Sequence, residues 1–379
     1  MILNDDERAG LWLGRVWRAD VGPCVVTLRD GRLYDITQAA APTVRDVLEL
    51  DDPAAHVYTA TGEDIGAVED FAATGGAGDQ ARFLAPCDLQ AVKACGVTFA
   101  RSMVERVIEE QAAGDPDKAA GIRAKVSEII GDSLDRIEAG SEQAAQVKSE
   151  LIRLGMWSQY LEVGIGPDAE VFSKAQPLSA VGWGADVGLH PVSNWNNPEP
   201  EIVLAVDSRG RILGATLGND VNLRDVEGRS ALLLGKAKDN NASCAIGPMI
   251  RLFDDGFSLD DVRRAELDMR IEGADGYMLD GASSMKEISR DPADLVAQTI
   301  GRHHQYPDGL VLFLGTLFAP TEDRDTPGQG FTHKTGDVVT ISCAGLGALR
   351  NTVRLSTECP EWTFGAAALM RNLAGRKLL

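Results

Sequence analysis

The stretch NNPEPEIVLAVDSRGRILGATLGNDV, residues 196–221, sets two glutamates, Glu199 and Glu201, one residue apart at the mouth of an apolar strand. Side chains along a strand alternate between faces, so the two project from one face, about 6–7 Å apart. The run EIVLAVD enters a short SRG turn and RILGATLG runs back, a pattern that predicts a β-hairpin centred near Arg209. Folding about that centre sets residue 201 opposite about 217 and residue 199 opposite about 219, which brings Asp220 beside the glutamates. Two readings of the acidic pair stand side by side. One is a solvated strand start. The other is a set of three carboxylates that repel one another unless a cation sits among them. An all-oxygen set suits Mg2+, Mn2+ or Ca2+ better than zinc, and three protein ligands leave about three octahedral positions for water or substrate.

Composition narrows the class of partner. The chain has 379 residues, 44% of them hydrophobic, enough for a sizeable core in two domains or in one large domain with an appendage. Asp and Glu number 57 against 37 Lys and Arg, a net charge of −20. That balance argues against electrostatic binding of nucleic acid or anionic membrane and leaves a small molecule as the expected partner. Cys24, Cys87, Cys95, Cys244, Cys343 and Cys359 lie far apart with no CxxC, so neither a zinc site nor a disulfide framework is expected. They read as buried thiols in a reducing cytoplasm. Asp5 and Asp6 precede any apolar run, and no later segment reaches the length of a membrane span, so neither a secretion signal nor a span is expected.

Residues 11–90 read as short strands (LWLGRVWRA, PCVVTLRDG, RLYDIT) broken by the loop-like DDPAAH and FAATGGAGDQ. A small β-rich N-terminal domain over 1–92 is therefore expected, followed by a larger domain over 93–379. Helical spacing returns over about 101–155, with Asp115-Pro116 as an N-cap and first-turn pair and Gly155 as a C-cap. Beyond 156, EIVLAVD, RILGATLG, GLVLFLGTLF and DVVTISCAGLG read as strands, with helices near 258–266 and 291–303. The fold class is α+β, mainly β.

Four stretches, PEPEIVLAV, GNDVNLRD, AKDNNASCAIGPMI and GDVVTISCAGLGALRNTV, resemble the successive signatures of the fumarylacetoacetate hydrolase superfamily, and the resemblance covers about residues 94–355. The E-x-E pair, Asp220 nineteen residues on, Lys238 eighteen further, and a Glu in AEVFSKA twenty-nine residues before Glu199 are similar to the 2-keto-3-deoxy-pentonate dehydratase branch. The resemblance implies Glu199, Glu201 and Asp220 as Mg2+ ligands, with Mn2+ or Ca2+ as alternatives. It brings in Lys238 as an active-site ammonium and Glu170 as acid or base. Arg101, Ser102, Lys174 and Thr316 are the substrate contacts expected beside them. It further implies a mixed β-sandwich or roll with peripheral helices, assembled as a homodimer or dimer of dimers.

One departure bears on the chemistry. Carbon–carbon hydrolases of the superfamily carry N-Y-x-x-H early in the catalytic domain, with a Glu three residues after the His. The matching stretch here, GVTFARSMVER, has Ser102 at the histidine position and Glu105 at the glutamate position. A serine has no useful basicity near pH 7. The implied function is Mg2+-dependent dehydration of 2-dehydro-3-deoxy-D-xylonate or D-arabinonate to 2,5-dioxopentanoate in oxidative pentose catabolism. A hydrolase of acylpyruvates or diketo-deoxy sugar acids, and a non-catalytic keto-acid binder, are the alternatives.

Other motifs carry less. GRSALLLGKA is no P-loop, because six residues separate Gly228 from Gly235 and Ala237 stands where a Mg2+-binding hydroxyl is needed. GLGALRN lacks the third glycine and the βαβ setting of a dinucleotide site. His303-His304 reads as a helix-end pair rather than a metal site.

Overall fold

The computed structural model describes residues 2–72, 78–113, 115, 118, 137–153, 155, 157–318, 320, 322–325 and 330–379, without the side chains of residues 100–102, 104 and 109. The described strands are β1 Trp12–Arg18, β2 Gly22–Arg29, β3 Arg32–Asp35, β4 Glu63–Ala67, β5 Arg82–Leu84, β6 Ala91–Gly96, β7 Glu170–Ala175 and β8 Asp186–Leu189. The remainder are β9 Pro200–Val206, β10 Ile212–Asp220, β11 Cys244–Leu252, β12 Glu266–Glu272, β13 Met278–Ser284, β14 Leu310–Phe313, β15 Val338–Cys343 and β16 Gly347–Leu355. Eleven of the described strands form one sheet, ordered β4-β3-β2-β1-β11-β10-β9-β14-β6-β7 with β5 on β1. The other five form a second, ordered β13-β12-β15-β16-β8. Pairing is antiparallel except for β14 with β6 and β16 with β8. The α+β, mainly β class is the one the sequence leads to.

The apolar run after the two glutamates is explained by burial on both faces of β9, every residue of which is buried. Ile202, Leu204 and Val206 face the main core with Leu217 and Leu312. Val203 faces a separate cluster with Ile246 and Phe313. At the turn the hairpin pairs Val206 with Ile212, the register that folding about Arg209 gives. A β-bulge between Ile212 and Gly214 then inserts one residue, so Glu201 pairs with Gly218 rather than with 217. The bulge has a functional consequence, because a one-residue slip moves every side chain to the other face. Without it Asn219 would stand opposite Glu199. With it, the Asp220 N–H donates to the Glu199 carbonyl at 3.0 Å and the two side chains share a face.

Several elements differ from the sequence expectation. DDPAAH leads into a helix, Pro53–Thr59, because Asp52 caps the Ala55 N–H and Pro53 fits the first turn. The helix near 258–266 is Leu259–Arg263, ended by a strand that begins at Glu266 and alternates buried with exposed residues. The helix near 291–303 is Pro292–Thr299. The helices Gln159–Ile165 and Ala366–Gly375 are among those the sequence reading does not contain. Over 101–155 the described helices are Ala100–Gln111 and Glu142–Arg153; the Asp115-Pro116 cap falls on a residue outside the described set. The N-terminal strands join the sheet of the β9–β10 hairpin through β1 and β11, with Trp12 opposite Arg251 and Leu13 opposite Ile250. No described helix is long and apolar enough to cross a membrane. All six cysteines are free and buried.

Candidate metal and proton-transfer site

Glu201 from β9, Glu199 just before that strand and Asp220 from the end of β10 are buried together, each offering an oxygen within 4.8 Å of the others. Buried like charges are tolerable only when paired. Lys238, from the short helix Leu234–Lys238, donates to Glu199 Oε2 at 2.5 Å and to Asp220 Oδ2 at 3.0 Å. Lys174 of β7 pairs with Asp220 Oδ1 at 2.9 Å. Arg106, from the helix Ala100–Gln111, bonds Glu199 and also pairs with Glu227 at 2.9 Å. Although burial alone would raise it, Glu199 is held down at about 2 by Lys238 and Arg106.

Glu201 is served differently. It accepts from the Gly315 N–H at 2.7 Å and the Thr316 hydroxyl at 3.3 Å, both neutral donors. Burial, with the charges of Asp220 and Glu199, pushes its carboxyl well above the usual range. A divalent cation fits this donor set, because the three ligands are all oxygen and, among the described residues, the third carboxylate has no lysine or arginine bonded to it. Gly315 must be glycine: its φ is +100°, and a Cβ there would lie 1.9 Å from Thr98 Oγ1.

Glu170 opens β7 opposite Gly96 of β6. Its carboxyl lies over the glycine, where an added Cβ would sit 1.9 Å from Glu170 Oε2. Burial, helped by the negative charge of Glu227 and opposed by Arg106 and Lys238, pushes Glu170 up to about 7. Lys238 goes the other way from a simple buried lysine. Burial lowers its proton affinity, but Asp220 and Glu199 outweigh that and keep it an ammonium, 5.8 Å from the Phe172 ring centre. A carboxyl poised between its two states thus stands near a fixed positive charge, the pairing that proton transfer at carbon requires.

The remaining sequence-derived residues fall in distinct places. Thr316 bonds Glu201. Lys174 is fully enclosed, its ammonium on Asp220 and on the Lys238 carbonyl, which puts it behind the carboxylates. Arg101 and Ser102 lie on the helix Ala100–Gln111, with side chains outside the described set. His303 bonds the Gln298 carbonyl near the helix end, so it does not join the carboxylates. Sequence reasoning omits Arg106, Glu227 and Gly315. Arg106 follows Glu105 directly and is buried on a helix face with Met103 and Val107, the only local signal it gives.

Comparison with known proteins bears on the family and the fold. The family model described as fumarylacetoacetate (FAA) hydrolase C-terminal matches residues 167–354. A curated relative from Haloferax volcanii, "Probable 2-keto-3-deoxyxylonate dehydratase", is 34% identical over 213 residues, 56% of this chain and 68% of the relative. A second from Saccharolobus solfataricus, "2-dehydro-3-deoxy-D-arabinonate dehydratase", is 31% identical over 188 residues, 49% of this chain and 58% of the relative. A solved structure of 2-keto-3-deoxy-D-arabinonate dehydratase complexed with magnesium and 2,5-dioxopentanoate has the same fold, with a TM-score of 0.63 and 21% identity over 90% of this chain and 98% of that one.

Proposed function

The chain belongs to the fumarylacetoacetate hydrolase family, and on that premise we propose that it is a Mg2+-dependent hydro-lyase that converts a 2-keto-3-deoxy-pentonate to 2,5-dioxopentanoate and water. The observation that carries the reading is the half-buried Glu170, raised to about 7, near the Lys238 ammonium and the Glu199, Glu201 and Asp220 carboxylates. The names of the two curated relatives and the ligands of the solved neighbour point to the same substrate class.

A divalent ion held by the three carboxylates would supply Lewis-acid polarisation of the C2 ketone, which acidifies the C3–H bond. Glu170 in its ionised form takes the C3 proton and in its protonated form gives one to the departing C4 hydroxyl, so a single carboxyl near neutrality serves both halves of the elimination. The C3–H and C4–O bonds break and a C3=C4 bond forms. Transfer of a proton from C5 to C3 then gives the C4=C5 enol, which becomes the C5 aldehyde. Lys238 keeps a positive charge beside Glu199 and Asp220. Lys174 pairs with Asp220, and Arg106 with Glu199.

Ser102 at the position of the water-activating histidine favours dehydration over carbon–carbon hydrolysis. Incubation with the 2-keto-3-deoxy-pentonates of both C4 configurations and Mg2+, followed by trapping of the semialdehyde, tests the reading. No 2,5-dioxopentanoate from either would sink it, and pyruvate from a diketo analogue would favour the hydrolase. We further place the reaction in oxidative pentose catabolism in the cytoplasm, a setting in keeping with six free buried thiols. Assembly is proposed as a homodimer or dimer of dimers, with residues 1–92 as a module appended to the catalytic 93–379; light scattering tests the first.

A further inference from the structure

Beyond the carboxylates the hairpin pairing continues to one more pair. Asn197 and Asn222 exchange both backbone bonds, N–H to carbonyl, at 3.1 and 3.0 Å. Alternation places 197 with 199 and 201, and 222 with 220, so the two asparagines share the face that carries the carboxylates. Both are fully buried. The Asn197 amide nitrogen donates to the Pro198 carbonyl at 2.8 Å. Asn197 Oδ1 and both Oδ1 and Nδ2 of Asn222 have no hydrogen-bond partner among the described residues. Buried amides are almost always bonded, and leaving three such atoms empty is costly. The chemistry of the gap is specific. A carboxylate only accepts and would be refused by the two carbonyl oxygens; an ammonium only donates and would be refused by the amide nitrogen. A hydroxyl does both.

Resting on the dehydratase reading, we infer that Asn222 and Asn197 form a hydroxyl-recognising subsite beside the metal ligands, one that takes a distal hydroxyl of the bound keto acid. Two residues of strand separate Asn197 from Glu199, about 6–7 Å, a distance suited to the tail of a five-carbon chain whose carboxyl and ketone lie at the carboxylate cluster. The subsite then selects 2-keto acids that carry a hydroxyl over plain 2-keto acids.

Two probes decide it: 5-hydroxy-2-oxopentanoate and 2-oxopentanoate, neither of which has a C4 hydroxyl to lose. Calorimetric titration of the full chain with Mg2+ is expected to give tighter binding of the hydroxylated probe by about tenfold, the scale of one or two net hydrogen bonds. Asn222→Ala is expected to abolish that preference while keeping its affinity for 2-oxopentanoate within about twofold. Asn222→Ser, which retains a polar group, carries the same comparison should the alanine variant not fold. Equal binding of both probes by the wild type overturns the subsite and leaves the keto-acid reading standing. A preference that survives both substitutions also overturns it, assigning the amides to a bound water instead. Failure of the wild type to bind either probe overturns the keto-acid reading, and the subsite with it.

Discussion

Replacing Gly96 with alanine puts a methyl group where Glu170 keeps its carboxyl. The added carbon would lie 1.9 Å from Oε2, 2.7 Å from Cδ and 3.3 Å from Cγ. Non-bonded heavy atoms settle near 3.5 Å, so the carboxyl must retreat by about 1.5 Å or the β6–β7 pairing must open. Overpacking of this kind costs about 1–3 kcal/mol, which a protein of this size survives as a lowered Tm. The larger effect falls on the reaction. A misplacement of about 1 Å at a catalytic group can cost about a hundredfold in rate, so kcat for semialdehyde formation should fall by about that factor. Mg2+ affinity should hold, because neither residue bonds Glu199, Glu201 or Asp220. Adding Glu170→Asp to Gly96→Ala withdraws the carboxyl by one methylene and should recover part of the loss, which a general weakening of the sheet would not allow. A Gly96→Ala protein with kcat within about threefold of wild type and an unchanged Tm would refute the placement of Glu170 over this glycine.

Titration of Glu170 makes stability depend on pH with a definite sign. Its folded pKa of about 7 exceeds the ordinary 4.5, so its contribution is complete below about pH 4.5 and is lost as pH rises through 7. Glu170→Gln should match wild type in urea unfolding at low pH and exceed it at pH 8 by on the order of 3 kcal/mol. Lys174→Met strips the enclosed ammonium from Asp220 and should lower stability by about 3–5 kcal/mol in the absence of metal, with calorimetric scans as the check. Mg2+ in hundredfold excess over its Kd should stabilise the wild type by about 2.7 kcal/mol, and Glu201→Gln should lose most of that gain; an undiminished Mg2+-dependent Tm shift in this variant would remove Glu201 from the ligand set.

The two glutamates were readable from local sequence because alternation along a strand needs no knowledge of the rest of the chain. Asp220 was a nearer thing. Counting back from the turn brings it close to Glu199, yet the plain count would put Asn219 opposite and turn the aspartate to the other face; the bulge at Leu213 supplies the extra residue. Bulges leave little mark in a single sequence, so folding about the turn brings Asp220 near the glutamates without turning it onto their face. The compensating cations lie further from local reasoning still. Arg106 meets Glu199 across 93 residues and Lys174 meets Asp220 from another strand, and burial of a basic side chain has no periodicity of its own. The same limit explains why Asn222 escapes notice in GNDVNLRD. Only once Asn197 is known to stand opposite it, on the face of the carboxylates, and the Asn222 amide is found without a hydrogen-bond partner among the described residues, does an ordinary polar residue become a candidate for choosing the substrate.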